Sequence, residues 1–467
     1  MAYITFRIPD RKSFLFDREA NSVIEITGDD EMALNGCLGE VAKENCENKF
    51  QKEGFCLDSK LKTIDHPDIP NLSQLLSHRV GDMVLQVTQN CNFRCEYCAY
   101  SGSYYNRTHT AKRMSLETAL RAVDFLMENS IDRDTVNIGF YGGEPLLEMD
   151  LIRQIISYVE TEYIGKKVTY SLTTNASLLS DETADYLMKK SVGILVSLDG
   201  PKEYHDEHRC YVNGDGSFDS VMNNLGRLKK RHPKYFERVR INSVVPPGRN
   251  IKKIVDFFSS NEVLSKTEFR LTTVSDVGCK TEIIYDDEFN SQMLGERTKM
   301  MLYGLGLLSR EYVNLSFSSY FDELFYMFKL LKNKGRLPAT SHPGGPCTPG
   351  IRRLFVDVDG NFFPCERVSE TSDTGIGNLQ SGFSEQKIAN ILNVGKLTEQ
   401  QCKQCWAFSY CQQCIGMALD GNEICAQKRL SRCASVRENV YFKLRDLQYL
   451  LTNGFDFEQY EGMSGRE

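Results

Sequence analysis

Gln89-Asn90-Cys91-Asn92-Phe93-Arg94-Cys95-Glu96-Tyr97-Cys98 directly follows a short apolar strand, Met83-Val84-Leu85-Gln86-Val87, and spaces its cysteines C-x3-C-x2-C. Thiolates this close in sequence can converge on one metal centre. A structural zinc site takes four ligands, usually supplied as pairs, so a lone triplet fits it poorly. A cubane iron–sulfur cluster has four irons and usually four cysteine ligands. Three thiolates therefore leave one iron open to a substrate or cofactor.

The 467 residues suffice for two or three domains, each with its own core. A formal charge of -7 argues against a nucleic-acid partner. No apolar run is long enough to span a bilayer and no signal-peptide core is present, so no membrane partner and a cytoplasmic location are expected. Sixteen cysteines in such a chain read as metal ligands or redox groups more readily than as disulfides. Three lie in the opening triplet, Cys347 stands apart, and seven fall from Cys365 to Cys433. Cys37, Cys46, Cys56, Cys210 and Cys279 are scattered and read as small buried hydrophobes.

Residues 1–80 form a separate module with its linker. Tyr3–Ile8 and Ser13–Phe16 alternate about Pro9-Asp10-Arg11 as a hairpin, and Ser22–Ile26 gives a third strand. The stretch from Asp29 to Phe55 turns helical, and Pro67 and Pro70 mark a linker. Such a module is either a cap on the main domain or a peptide-binding unit that accepts a strand at its sheet edge.

Between 81 and 278 the pattern alternates. Strands are predicted at 83–88, 135–141, 168–174, 193–198, 238–245 and 268–274, with amphipathic helices at 115–129, 150–163, 180–190, 217–231 and 251–260. Six βα units predict an α/β fold, a partial (β/α)6 TIM-like barrel whose site lies at the C-terminal strand ends. Residues 279–341 read as bridging helices and 342–433 as a cysteine-rich domain with a hairpin about Asp359-Gly360. Residues 434–467 read as a helix and a polar tail.

The strand ends carry polar groups. Phe140-Tyr141-Gly142-Gly143-Glu144-Pro145 follows the second strand, where glycines allow close approach to a ligand and Glu144 can accept from an ammonium group. Asn175 follows the third strand; Ser197 and Asp199 follow the fourth, with Arg209 soon after. Each alone could be a satisfied turn; their recurrence at successive strand ends points to one ligand site.

The Cys91, Cys95, Cys98 triplet, Gly142-Gly143-Glu144-Pro145 and the six βα units together resemble a radical S-adenosylmethionine (SAM) enzyme. The resemblance implies a [4Fe-4S] cluster on the triplet whose open iron is chelated by the methionine part of SAM. One electron from the cluster then releases a 5′-deoxyadenosyl radical that abstracts a substrate hydrogen. It places Glu144 near the methionine ammonium, Tyr97 near the adenine, and Gly142, Gly143, Asn175, Ser197, Asp199 and Arg209 among the SAM contacts.

Cys347-x12-Gly360-x4-Cys365, then Cys402-x2-Cys405-x5-Cys411-x2-Cys414, then Cys425 and Cys433 resemble the SPASM extension of peptide-modifying radical enzymes. That pattern has three residues where this chain has two between Cys411 and Cys414. The resemblance implies two auxiliary [4Fe-4S] clusters, three in all. Cys347, Cys365 and Cys414 would hold the first, completed by Cys425 or left open to a substrate cysteine; Cys402, Cys405, Cys411 and Cys433 would hold the second. The N-terminal module resembles the winged-helix-like leader-recognition elements of such enzymes.

The expected function is therefore a radical SAM maturase that installs thioether crosslinks in a ribosomally made, cysteine-containing precursor peptide. Its leader would bind the N-terminal module, and an external donor such as flavodoxin or ferredoxin would supply electrons. The alternatives are anaerobic sulfatase maturation to formylglycine, carbon–carbon crosslinking, and a zinc-scaffolded peptide-binding protein. No catalytic residue beyond the cluster ligands is assigned from sequence.

Overall fold

The computed structural model of the chain describes residues 2–105, 107–333 and 335–460. At its centre is β5 (Asp82–Thr88), buried from Met83 through Thr88. Burial on both faces is what a parallel strand sandwiched between layers requires. Its neighbours in the order of the chain are β6 (Thr135–Gly142), β7 (Lys167–Thr174), β8 (Gly193–Ser197), β9 (Arg240–Val245) and β10 (Glu268–Thr273), each parallel to the one before it. The six predicted strands are all present.

The crossover helices begin where side-chain caps allow. Ser115, Ser180 and Asn250 each accept a hydrogen bond from a backbone N–H three residues on, which satisfies one of the open donors of a first helical turn. The helix Leu116–Glu128 then buries Ala119, Ala122, Val123 and Leu126, an apolar stripe at helical spacing.

The sheet does not stop at β5. β12 (Leu354–Val356) pairs parallel with β5 through Leu354↔Met83, Phe355↔Val84 and Val356↔Leu85. β13 (Asn361–Phe363) returns antiparallel about the expected Asp359-Gly360 turn, and β14 (Gly377–Asn378) and β15 (Gly382–Phe383) extend it, giving ten strands in one sheet. The cysteine-rich segment is thus built onto the same sheet that carries the triplet.

Residues 2–52 form an antiparallel sheet, β1 (Tyr3–Arg7), β2 (Ser13–Asp17) and β3 (Ser22–Ile26), followed by the helices Gly28–Leu34 and Glu40–Lys52. Thr27 caps the first helix in a reciprocal capping box with Asp30. The sheet order β1-β2-β3 leaves β3 at an edge.

Three expectations need correction. The stretch expected as a linker contains the helix Leu72–His78, whose Leu72 and Leu76 join the main core. It also contains β4 (Thr63–Ile64), which pairs with β11 (Thr340–Ser341) from the bridging segment. Among the scattered cysteines, Cys46 and Cys56 are buried, Cys37 is exposed, and Cys210 and Cys279 are half-buried. The expected polar tail starts as an aromatic plug: Phe455, Phe457 and Tyr460 pack on Phe321, Phe325 and Phe328 of the helix Ser319–Asn333. The end of that tail and Lys334, the last residue of the expected Tyr320–Lys334 helical run, lie outside the described residues.

The N-terminal module is pinned, not tethered. Arg18, 1 % exposed, pairs with Glu19 at 2.5 Å and donates to the carbonyls of Lys403 (2.7 Å) and Cys405 (3.1 Å). Asn21 donates to Leu330 O and accepts from the Tyr410 hydroxyl, both at 2.9 Å. Replacing Arg18 by Ala strands the Glu19 carboxylate in the interior, at a cost of about 3–5 kcal/mol. Amide exchange measured by mass spectrometry is expected to show β2 and β3 losing protection in Arg18→Ala; unchanged protection would show that the docking does not depend on this pair.

Candidate active site

The triplet loop leaves β5 and is braced at once by the end of β6. Gly143 N donates to Thr88 O and Glu144 N to Asn90 O, both at 2.9 Å. The glycines permit this approach. A Cβ on Gly142, whose φ is +138°, would lie 2.0 Å from Thr88 O, and one on Gly143 2.0 Å from Asn90 O and 3.0 Å from Cys91 N. These glycines let the end of β6 approach the chain's own backbone beneath the cysteines.

Bracing the loop in this way also aims Glu144. Its carboxylate, 1 % exposed, accepts from Leu146 N (3.0 Å), Thr174 Oγ1 (2.7 Å) and Asn175 N (2.7 Å). Burial pushes its pKa up to about 7 despite those three donors. A buried carboxylate in this state is matched to a bound cation. Asn175, at the end of β7, donates to Asn92 Oδ1 (2.9 Å) and reaches Cys91 Sγ at 3.9 Å. Three successive strand ends thus deliver the triplet, a carboxylate and an amide to one place.

Tyr97, Asp199 and Arg209 meet as a single unit. The Tyr97 hydroxyl donates to Asp199 Oδ2, which also accepts from Arg209 Nε at 3.0 Å, while Asp199 Oδ1 accepts from Val244 N at 3.0 Å. The guanidinium lies 5.3 Å from the centre of the Tyr97 ring, and its Nη1 reaches Cys95 Sγ at 3.8 Å. Behind it, His205 is buried and held neutral by desolvation, and its Nε2 bonds Ser217 at 2.9 Å. Asp199 therefore serves the protein's own donors, and Arg209, paired with it, reaches the triplet at Cys95. Ser197 ends β8 near this unit.

Burial raises the Cys91 and Cys95 thiols to about 12 and the Cys98 thiol in the same direction, with Cys98 adding to the rise at both of the others. Cys365 is raised to about 11 by burial, with Glu366 and Cys414 adding to it. Cys402 is raised by burial with contributions from Cys405 and Cys433, and Cys411, at about 11, feels Cys402 and Cys405. Cys91 and Cys95 thus lie within electrostatic reach of Cys98, Cys365 of Cys414, Cys402 of Cys405 and Cys433, and Cys411 of Cys402 and Cys405. Cys347 is exposed, and Cys425 points its sulfur at Gln427 Oε1, 3.3 Å away.

Buried thiols of this kind are stable as thiolates only beside positive charge, which iron would provide. Among the described residues no group of three or more His, Cys, Asp or Glu is close enough to hold one metal ion. Thiols on a cubane bind separate irons, and so stand further apart than the ligands of a single ion.

Sequence reasoning missed the groups that join the triplet to Cys365. Arg107 pairs with Glu370 at 3.1 Å and donates to Glu366 O (2.8 Å) and Val368 O (2.5 Å). Gln86 donates to the Tyr100 hydroxyl at 2.6 Å, and Tyr141 lies within electrostatic reach of both Cys98 and Glu366. Lone charged residues in a loop carry no local signal of burial.

Two outcomes follow. Gly143→Ala drives its methyl into Asn90 O, and iron analysis after anaerobic reconstitution is expected to fall by about the four atoms of one cluster; unchanged iron would contradict the bracing. Raising the Glu144 pKa from 4.5 to about 7 adds stability that is present below pH 4.5 and lost as pH rises to about 7. Glu144→Gln is expected to flatten that pH dependence in the cofactor-free protein, by about 3 kcal/mol at most, as read by denaturant unfolding at several pH values.

Residues 85–260 match the Radical SAM superfamily. A cysteine-type anaerobic sulfatase-maturating enzyme of Clostridium novyi (strain NT) is 25% identical over 342 residues, covering 71% of this chain and 86% of its own. The radical SAM cyclopropyl synthase TigE of Paramaledivibacter caminithermalis is 24% identical over 390 residues, covering 79% and 76%. The solved structure of native anSMEcpe with bound AdoMet shares the fold, with a TM-score of 0.58 and 21% identity over 79% of this chain and 99% of that one. The braced triplet thus lies within the residues that match the Radical SAM superfamily.

Proposed function

We propose that this enzyme is a peptide-modifying maturase that installs thioether crosslinks between a cysteine sulfur and a carbon of another residue in a ribosomally made precursor. The triplet and the two C-terminal cysteine groups fit three [4Fe-4S] clusters, and Glu144 fits the ammonium group of SAM. When bound, these groups supply one-electron cleavage of SAM and removal of a substrate hydrogen. The protein's own part is to hold the triplet on Thr88 and Asn90, keep Glu144 out of water, and fix the segment that follows Cys365 through Arg107.

The observation that carries the reading is the N-terminal sheet with β3 at its edge. An edge strand offers unpaired backbone groups to which an extended peptide can add. The match to native anSMEcpe takes in 99% of that chain but only 79% of this one, so about a fifth of this chain has no counterpart there. The three-stranded module, with its linker, is of that size. It is assigned the leader peptide, and an external donor such as flavodoxin or ferredoxin the electrons.

A second reading is favoured by the relative from Clostridium novyi, similar over 86% of its own length: maturation of a sulfatase cysteine or serine to formylglycine. The two differ in their products. Reconstituted protein, SAM and reductant are incubated anaerobically with the precursor peptide encoded nearby, and separately with a sulfatase-derived peptide. The thioether reading expects loss of two hydrogens per crosslink on the precursor, with the fragment ions inside the ring missing. No mass change on the precursor, with turnover of the sulfatase peptide, would replace it with the second reading.

A further inference from the structure

The quartet Cys402, Cys405, Cys411 and Cys433 contains a charge that the function above does not use. Arg429 lies on the helix Ala426–Ser431, one turn before Cys433, and is 1 % exposed. Its Nε donates to Val394 O at 3.2 Å, and its Nη2 is buried with no hydrogen-bond partner. The carboxylates on adjoining segments are engaged elsewhere, Asp65 by Lys396 at 3.1 Å and Glu399 by Lys403 at 2.8 Å. Among the described residues Arg429 forms no ion pair.

A guanidinium stays protonated at any working pH. Burying it without a counter-charge is strongly unfavourable, and such groups are ordinarily paired. Groups within its electrostatic reach include His342, which is held neutral by burial, and the thiols of Cys402 and Cys411. Of these three, the thiols are the groups that can answer it with negative charge. Gln413 adds a second buried polar group here, donating from Nε2 to Cys433 Sγ at 3.6 Å while its Oε1 has no partner.

The other two cysteine groups are arranged differently. Arg209, beside Cys95, is neutralised by Asp199 at 3.0 Å. Near Cys365, Arg107 is neutralised by Glu370, and Arg353 by Glu366 and Asp82. Arg94, which donates to Cys91 O at 2.7 Å, is exposed to solvent; among the described residues Arg429 is the buried arginine that enters a cysteine group without a carboxylate.

We propose that Arg429 is the counter-charge of an anionic iron–sulfur cluster held by Cys402, Cys405, Cys411 and Cys433, and that it shifts the reduction potential of that cluster in the positive direction. The inference rests on the cluster assignment made above. Reduction adds one electron to the cluster, makes no bond and breaks none. The product carries one more negative charge than the reactant, so a fixed positive charge in a water-excluded site stabilises the product more.

The test is a dithionite titration of anaerobically reconstituted full-length protein, followed by electron paramagnetic resonance. Cys402→Ala identifies which signal belongs to the quartet. In Arg429→Met that signal is expected to move to more negative potential, the other two staying in place, and Arg429→Lys is expected to recover most of the shift. Loss of the quartet signal in Arg429→Met with retention in Arg429→Lys also supports the counter-charge. Full iron with an unmoved potential in Arg429→Met overturns the proposal, as does equal loss in both variants, which assigns Arg429 to packing. A Cys402→Ala protein that keeps all of its iron and all of its signals overturns the cluster assignment itself.

Discussion

Two backbone hydrogen bonds, Gly143 N to Thr88 O and Glu144 N to Asn90 O, hold the active site together. They fasten the end of β6 beneath the cysteine loop that leaves β5, and only glycine at 142 and 143 lets the two backbones come so close. The parallel pairing of β5, β6 and β7 then fixes what can reach the loop. Glu144 arrives from β6 and Asn175 from β7, each already engaged by its neighbour. A ligand bound here meets groups whose positions were set by the sheet before it arrived, the condition under which electrostatic stabilisation is most effective.

Much of this could be read in the sequence because each βα unit is local. An apolar run, a capping serine or asparagine and an amphipathic stretch all fall within some thirty residues, and the observed strands agree with the expected ones to within a few residues. The pairing of β12 with β5 could not be read, since it joins segments far apart in the chain and neither one marks its partner. The helix Leu72–His78 was hidden by the prolines just before it. The approach of the glycine pair to the backbone of Thr88 and Asn90 could not be read either, because a sequence does not say which distant segment a glycine lets come close.

Buried charge was the other blind spot. Arg18, Arg107, Arg209 and Arg429 are all less than a tenth exposed, yet in sequence a lone arginine reads as a surface residue. Each touches, or holds segments beside, a cysteine group. Arg107 fixes the carbonyls that follow Cys365, Arg18 fixes those of Lys403 and Cys405, and Arg209 approaches Cys95. Through Arg18 the N-terminal sheet is fastened to the segment that carries Cys402 and Cys405.

The central claim is that the braced triplet generates a radical from SAM. Its most direct test is chromatographic detection of 5′-deoxyadenosine after anaerobic incubation of the reconstituted protein with SAM and dithionite. The account predicts 5′-deoxyadenosine from the wild type and none above background from Cys95→Ala. Equal yields from the two proteins, or none from a wild type carrying full iron, would contradict it.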